Sequence, residues 1–316
     1  MDSRPSLTAE AVCFMRAVDQ LSAPEDRVID DPYAQHFLTP PWRALLKVPP
    51  LAWRTLPELT TYIRARHRYM DDRLRDALDP ARSAALSAPA RSAALSAPAR
   101  SAALSDPARS AALSAPIEQL VILGAGYDMR GVRLATELSG RPVFEVDYPT
   151  TASRKQRVLA SLASLAAIDR AHVKYVTLDF QTESVEDVLL SAGFDPRKRT
   201  FFTWEGVSMY LSRAAVHATL GALRRLAAPG SALTMDYFRY LDAPTLGASA
   251  RRFSAGLLAF VAEPVTFPMD PEDVGDFMAR DGWRVTDIAD STELRRRYIR
   301  DGRAVYPANF VVHAVV

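Results

Sequence analysis

Residues 118–130 read EQLVILGAGYDMR. The run from Leu120 to Leu123 is short, apolar and half β-branched, and glycines follow it at 124 and 126. A run of that length bounded by glycine reads as a buried strand. The glycines let backbone approach a ligand closely, and the helix that follows offers free N–H groups. Downstream, the pattern alternates. Helix-like DMRGVRLATELS leads to strand-like RPVFEVD, helix-like TASRKQRVLASLASL, strand-like HVKYVTLDF and helix-like SVEDVLLSAG. RTFFTWEGV, SALTMDYF and the terminal NFVVHAVV supply further strands. The alternation predicts an α/β fold with a Rossmann-like, doubly wound and largely parallel sheet, helices on both faces, and an antiparallel terminal edge strand after GWRVTDI.

Upstream of the strand lies a different text. Residues 80–115 repeat the unit PARSAALSA four times with a single change, Asp106 for alanine. Alanine, leucine and arginine favour helix, but proline at every ninth position interrupts one. At about 100° per residue, successive units place Leu86, Leu95, Leu104 and Leu113 on opposite faces, so no apolar stripe forms. The unit also lacks the glycines and aspartates of calcium-binding nonapeptides. It reads as an insertion of short helical turns, from duplication of a nine-codon unit, or else as an ordered surface feature that contacts a partner. Before it, residues 7–78 carry apolar positions at helical spacing, in LTAEAVCFMRAVDQL and ELTTYIRARHRYMDDRLRDAL. Proline-rich DDPYAQHFLTPPW and KVPPLAW break the segment into several helices. The expected organisation is a helical cap at 1–79, the repeat insertion or linker at 80–115, and the sheet core at 116–316.

Composition excludes several classes. With 316 residues, 48% hydrophobic and 24% charged, the chain can bury a sizeable core. The 39 basic and 37 acidic residues leave a net charge of +2, which makes no electrostatic case for nucleic acid. Cys13 is the single cysteine, so an intrachain disulfide or cysteine-based metal cluster is excluded, and no metal site is expected. The opening MDSRPSLTAEAV lacks the order of a secretory signal, and no apolar run approaches the roughly 18 residues of a membrane span. A cytoplasmic protein without a membrane partner is the expectation.

Three strand ends carry candidate ligand groups. Gly124 and Gly126 shape the first turn, although Met129 stands where the dinucleotide fingerprint G-x-G-x-x-G wants its third glycine. Asp147 ends FEVD, about 20 residues on, where a carboxylate accepts from ribose hydroxyls. Asp179 in TLDF is placed to accept from an adenine amino group, with Phe180 beside it. Ligands of open α/β sheets bind at such carboxyl ends.

DPYAQHF, RARHRYMDD, LGAGYDMR, FEVDYP, LDF and WEGVSMYL, in that order, resemble the leucine carboxyl methyltransferase family, as does the later EPVTFPMDPEDV…GWRV tract. The resemblance runs from about residue 7 to 316, interrupted by the repeat. It implies a class I methyltransferase sheet and S-adenosyl-L-methionine as cofactor. It further implies O-methylation of a carboxylate or hydroxyl on a small-molecule acceptor, such as a natural-product intermediate. Position by position, Arg66 matches the arginine that pairs with the cofactor's methionine carboxylate, with Arg64 and Arg68 as near neighbours. Gly124 matches the glycine under its amino-acid portion, Asp147 the ribose ligand, and Asp179 with Phe180 the adenine contacts. Glu205 matches an acidic residue near the methionyl end, where it is placed to hold the ammonium, and Arg16 falls close to a basic contact position.

A carboxylate acceptor needs no general base at neutral pH; a hydroxyl acceptor wants one, with His67, His217 or His313 as candidates, although each also reads as a structural residue, His313 in VVHAVV above all. Trp204 and Tyr210 flank Glu205 and are candidates for the acceptor pocket. Two rival readings stay open: a nicotinamide-dependent oxidoreductase on the same sheet, disfavoured by Met129 and the lack of a Tyr-x-x-x-Lys pair, and a non-catalytic binding module whose repeat recruits partners.

Overall fold

The alternation of side chains along the central strands decides which layer covers each face of the sheet. In β1 (Gln119–Leu123), Val121 and Leu123 enter one core while Leu120 and Ile122 enter another. β2 (Val143–Asp147), β4 (Thr200–Trp204) and β5 (Ala232–Phe238) split in the same way, as the period of two requires of a sheet buried on both sides. The computed structural model describes residues 7–80, 115–162, 169–239 and 265–316. With β3 (Val173–Thr177), β6 (Arg284–Ala289) and β7 (Asn309–Val315), these strands form one seven-stranded sheet in the order β3-β2-β1-β4-β5-β7-β6. The first five are parallel; β7 runs antiparallel to both β5 and β6. The expected antiparallel strand is β7, and β6 forms the margin outside it.

Before the sheet come α1 (Leu7–Asp19), α2 (Pro40–Leu46), α3 (Pro49–Arg54) and the long α4 (Pro57–Leu78). α4 has an apolar stripe at Leu59, Ile63, Met70, Leu74 and Leu78, and the gap in that stripe is filled by Arg66 and His67, which are buried. Met70 meets Thr203 of β4, and Leu74 and Leu78 share a core with Leu120 and Ile122. The helical segment thus packs onto one face of the sheet and shares its core. The glycine turn is followed by α5 (Arg130–Arg133) and α6 (Ala135–Leu138), two short helices where one was expected. α7 (Pro149–Ser161), α8 (Val185–Ser191), α9 (Arg213–Leu226), α10 (Val274–Ala279) and α11 (Ser291–Tyr298) complete the layers. Val185, Val216, Leu220 and Phe277 of α8 to α10 cover the face opposite α4. No helix among the described residues is long and apolar enough to cross a membrane.

Most of the repeat lies outside the described residues, so its expected short helical turns are not addressed. Its two ends are described, and they meet. The Ile117 amide donates to the Ala77 carbonyl at 3.0 Å, so the chain leaves α4 and enters β1 at one place. A loop whose ends are pinned together is removable at little cost, since halving its length changes closure by about 0.6 kcal/mol. Deleting residues 89–115, which leaves one unit as linker, is expected to keep the far-UV circular dichroism spectrum and to hold or slightly raise Tm. A large fall in Tm would show that the repeat is part of the fold.

Candidate functional site

Four parallel strands end on the same side of the sheet, and a residue that the sequence singled out lies at or just beyond each end. Gly124 follows β1, Asp147 closes β2, Asp179 and Phe180 follow β3, and Glu205 follows β4. All of them, with Gly126 of the turn, Arg66 of α4 and Arg16 of α1, line one cavity of about 710 Å³. That is the size and place expected of a ligand pocket in a doubly wound sheet.

The glycine turn requires its glycines. Gly124 and Gly126 have φ of 60° and 49°, the left-handed region. A Cβ on Gly124 would also collide with the side chain of Val207 in the loop after β4. The Gly126 amide donates to Asp147 Oδ2, and the Tyr148 amide donates to Oδ1 at 2.6 Å. Each oxygen keeps a lone pair for a further donor. Burial pushes the Asp147 carboxyl above its ordinary range, against the pull of these two amides. Asp179 uses Oδ1 to accept from the Gln181 amide at 2.9 Å, and Phe180 stacks on Trp204 with ring centroids 6.1 Å apart.

Arg66 and Glu205 are bound to each other. Arg66 Nε donates to Glu205 Oε1 at 3.0 Å, and its Nη1 donates to Asp236 Oδ2 of β5 at 2.7 Å. Asp236 also accepts from the Gly206 amide through Oδ1 at 2.6 Å, which ties Arg66 to the loop that carries Glu205. Arg130 Nη2 donates to Glu205 Oε2 at 2.8 Å. Burial alone would raise the Glu205 carboxyl; Arg130, His67 and Arg66 instead hold it well below the usual carboxylate range. Glu205 is thus an ionised carboxylate already occupied by two guanidiniums. Arg16 is likewise held, by Asp31 at 3.0 Å and by the Tyr127 carbonyl at 2.7 Å, and so anchors α1 on the glycine turn. The sequence neighbours of Arg66 diverge: Arg64 pairs with Asp19 at 2.6 Å and Arg68 with Asp72 at 2.9 Å, and neither lines the cavity.

The base candidates do not reach it. His67 is fully buried behind Glu205, with Nε2 against Arg133 Nη2 at 2.8 Å and Nδ1 against Glu205 at 3.2 Å. Nδ1 is shared with Arg130 Nη2 at 2.9 Å, and since arginine can only donate, a guanidinium at each ring nitrogen opposes a doubly protonated imidazole. His217 bonds Asp281 at 2.6 Å and packs on Phe277, and His313 sits in β7 against Thr234 at 3.1 Å. His36 and His172, the other two of the chain's five histidines, lie outside the cavity as well. Tyr210 lines the cavity; Trp204 is buried beneath it and does not.

The sequence profile of the leucine carboxyl methyltransferase family matches residues 9–88 and 80–224. The chain belongs to the leucine carboxyl methyltransferase family. A protein of Parafrankia sp. (strain EAN1pec) named "Putative S-adenosyl-L-methionine-dependent methyltransferase" is 30% identical over 305 residues, covering 92% of this chain and 81% of the relative. A protein of the same name from Saccharopolyspora erythraea is 28% identical over 289 residues, covering 88% and 83%. Among solved structures, a Thermobifida fusca protein titled as a methyltransferase aligns over 99% of this chain and 95% of its own with a TM-score of 0.55 and 14% identity, a likeness of fold. The family is one of S-adenosylmethionine-dependent methyltransferases, which displaces the nicotinamide reading.

Sequence reasoning missed Asp128 on the cavity wall and the charges behind it, Asp71, Arg130, Arg133 and Asp236. Asp71 Oδ2 takes Arg133 at 2.8 Å, and Arg130 bonds Asp71 Oδ1 at 2.7 Å and Asp128 Oδ2. His67, Asp128 and Glu205 bring ligand atoms within 4.8 Å of one another, a spacing that suits a metal. Arg130 touches all three residues and stands where such a cation would. The available signal was charge density: RARHRYMDD and DMRGVR are too rich in charge for segments that otherwise read as buried.

Burial, then Arg130, lowers the affinity of His67 for a proton below that of an ordinary histidine. The unfolded chain has no such resistance. It therefore takes up more protons below about pH 6.5, and stability falls as pH drops through that value. Tm is expected to fall between pH 7.5 and 5.5, and His67→Gln is expected to flatten that slope. Parallel slopes would remove His67 from the acid response.

Proposed function

We propose that the chain transfers the methyl group of S-adenosylmethionine to a carboxylate oxygen of a small-molecule acceptor. The donor set of the cavity fits the cofactor. Asp147 has acceptor capacity for a ribose diol, and Phe180 offers a ring face beside Asp179. Arg66 makes hydrogen bonds to described residues through Nε and Nη1 and none through Nη2, which suits a ligand carboxylate. Glu205 is committed to Arg66 and Arg130, so its first task is to orient those arginines; its charge still favours an ammonium nearby.

When bound, the cofactor supplies an electrophilic methyl group on a sulfonium centre. The chain's own residues then align the acceptor and exclude water. The observation that carries the choice of acceptor is the placement of the histidines: none of the five lines the cavity. A hydroxyl acceptor would need a base poised near neutral pH, whereas a carboxylate is ionised already. The family name and the family's curated relatives support methyl transfer, and the cavity supports a small acceptor.

Two measurements test this reading. Calorimetric titration is expected to show binding of S-adenosylmethionine and none of NAD, with Asp147→Asn weakening the former by about 1–3 kcal/mol. Radiolabelled cofactor incubated with a panel of acids and phenols is expected to give a product that releases methanol in mild alkali, as methyl esters do. An alkali-stable product would assign the acceptor as a hydroxyl, and no cofactor affinity would end the reading altogether.

A further inference from the structure

We propose that Arg130 is a positioning residue for the cofactor site: it sets Glu205, and through Glu205 the guanidinium of Arg66, without facing the cavity itself. The inference rests on the cofactor reading above. Arg130 has no exposed surface and is absent from the cavity wall. Its guanidinium is nonetheless shared among three of the elements that supply that wall. Nε donates to Asp71 Oδ1 of α4 at 2.7 Å, Nη1 to Asp128 Oδ2 in the glycine turn, and Nη2 to Glu205 Oε2 at 2.8 Å and the His67 carbonyl at 3.2 Å. The Arg130 amide closes the turn on Asp128 Oδ1 at 2.7 Å.

The geometry gives these contacts a direction. Glu205 has two oxygens and two arginine partners, one at each: Oε2 goes to Arg130 and Oε1 to Arg66. With Oε2 fixed from behind, Oε1 is presented to Arg66 Nε. Asp236 takes Nη1 from the other side, and the plane of the Arg66 guanidinium is set by two carboxylates. Only a planar fork bonds carboxylates of three elements at once; an ammonium in the same place is a point charge on a flexible stem. Asp71, itself held by Arg133, fixes the far end of the fork. Arg130 therefore acts on the cavity through Glu205 and not by contact.

The test is Arg130→Lys, with S-adenosylmethionine affinity measured by calorimetry from pH 7.5 to 5.5 beside circular dichroism and Tm. The expected result is a folded protein whose Kd rises at least tenfold at pH 7.5 and rises further on acidification than that of the wild type. The second effect follows because the lysine ammonium no longer fixes Oε2 with a directed bond, which leaves Arg66 as the one guanidinium on Glu205 against a proton, beside the neutral His67 and the nearby carboxylates Asp128 and Asp236. If Arg130→Lys does not fold, Asp71→Asn replaces it. That change touches neither Glu205 nor Arg66 yet weakens the hold on the Nε end of the fork, and the expected result is a severalfold rise in Kd that disappears in a Glu205→Gln background, where no carboxylate is left to set. Kd within twofold of wild type, a rise for Arg130→Lys that is uniform across pH, or a rise for Asp71→Asn that persists in the Glu205→Gln background would reduce Arg130 to a structural residue and overturn the proposal. A wild-type protein that binds no S-adenosylmethionine would instead overturn the cofactor reading, so the two failures are distinguishable.

Discussion

The Glu205 carboxylate sits where three elements meet, with a cation against each of its oxygens. Its side chain is 8% exposed, with Arg66 on one oxygen and Arg130 on the other. A lone charge at that depth would be strongly unfavourable, and removing one partner of such a pair costs about 3–5 kcal/mol. The requirement runs in both directions. Arg66 and Arg130 are as deeply buried as Glu205, so α4, the glycine turn and the end of β4 each need the others' charges. This explains why the helical segment lies on the sheet and does not stand apart as a lid. Its longest helix carries two of the charged partners, Arg66 and Asp71, on the face that meets β4 and the turn.

The consequence for function is a cavity whose polar groups are oriented before any ligand arrives. Asp147 is fixed by two amides, Arg66 by two carboxylates, and Arg16 by Asp31 and the turn itself. Pre-set groups lose little freedom on binding, which is how a site of this kind gains affinity. In the reading proposed, the same arrangement leaves the reacting end without a titrating base. The chemistry then rests on alignment and exclusion of water, which suits an acceptor that is ionised from the start.

Much of this was legible from local pattern. LVIL followed by two glycines is β1 and its turn, and the strands that end in Asp147, Asp179 and Glu205 followed from apolar runs of strand length. The seven candidate residues could be drawn to one place because parallel strands share a carboxyl edge. Asp236 and Arg130 were not legible. Asp236 stands inside SALTMDYF, where it reads as a strand residue, and its meaning comes from Arg66, which is 170 positions away. Arg130 reads as the start of a helix until its partners at 67, 71, 128 and 205 are in view. A buried charge is defined by its counter-charge, and local spacing does not supply that. His67 is the reverse case: its place beside a site arginine allows a base or a structural residue, and in space the Glu205 carboxylate stands between it and the cavity.

A crystal structure of the protein grown with S-adenosylhomocysteine tests the central claim most directly. The account predicts the ligand in the cavity at the ends of β1 to β4, with its ribose on Asp147, its amino-acid end at Arg66, and the Glu205 pairs to Arg66 and Arg130 intact. A ligand bound elsewhere, or one that enters only by pulling Glu205 away from both arginines, would contradict it.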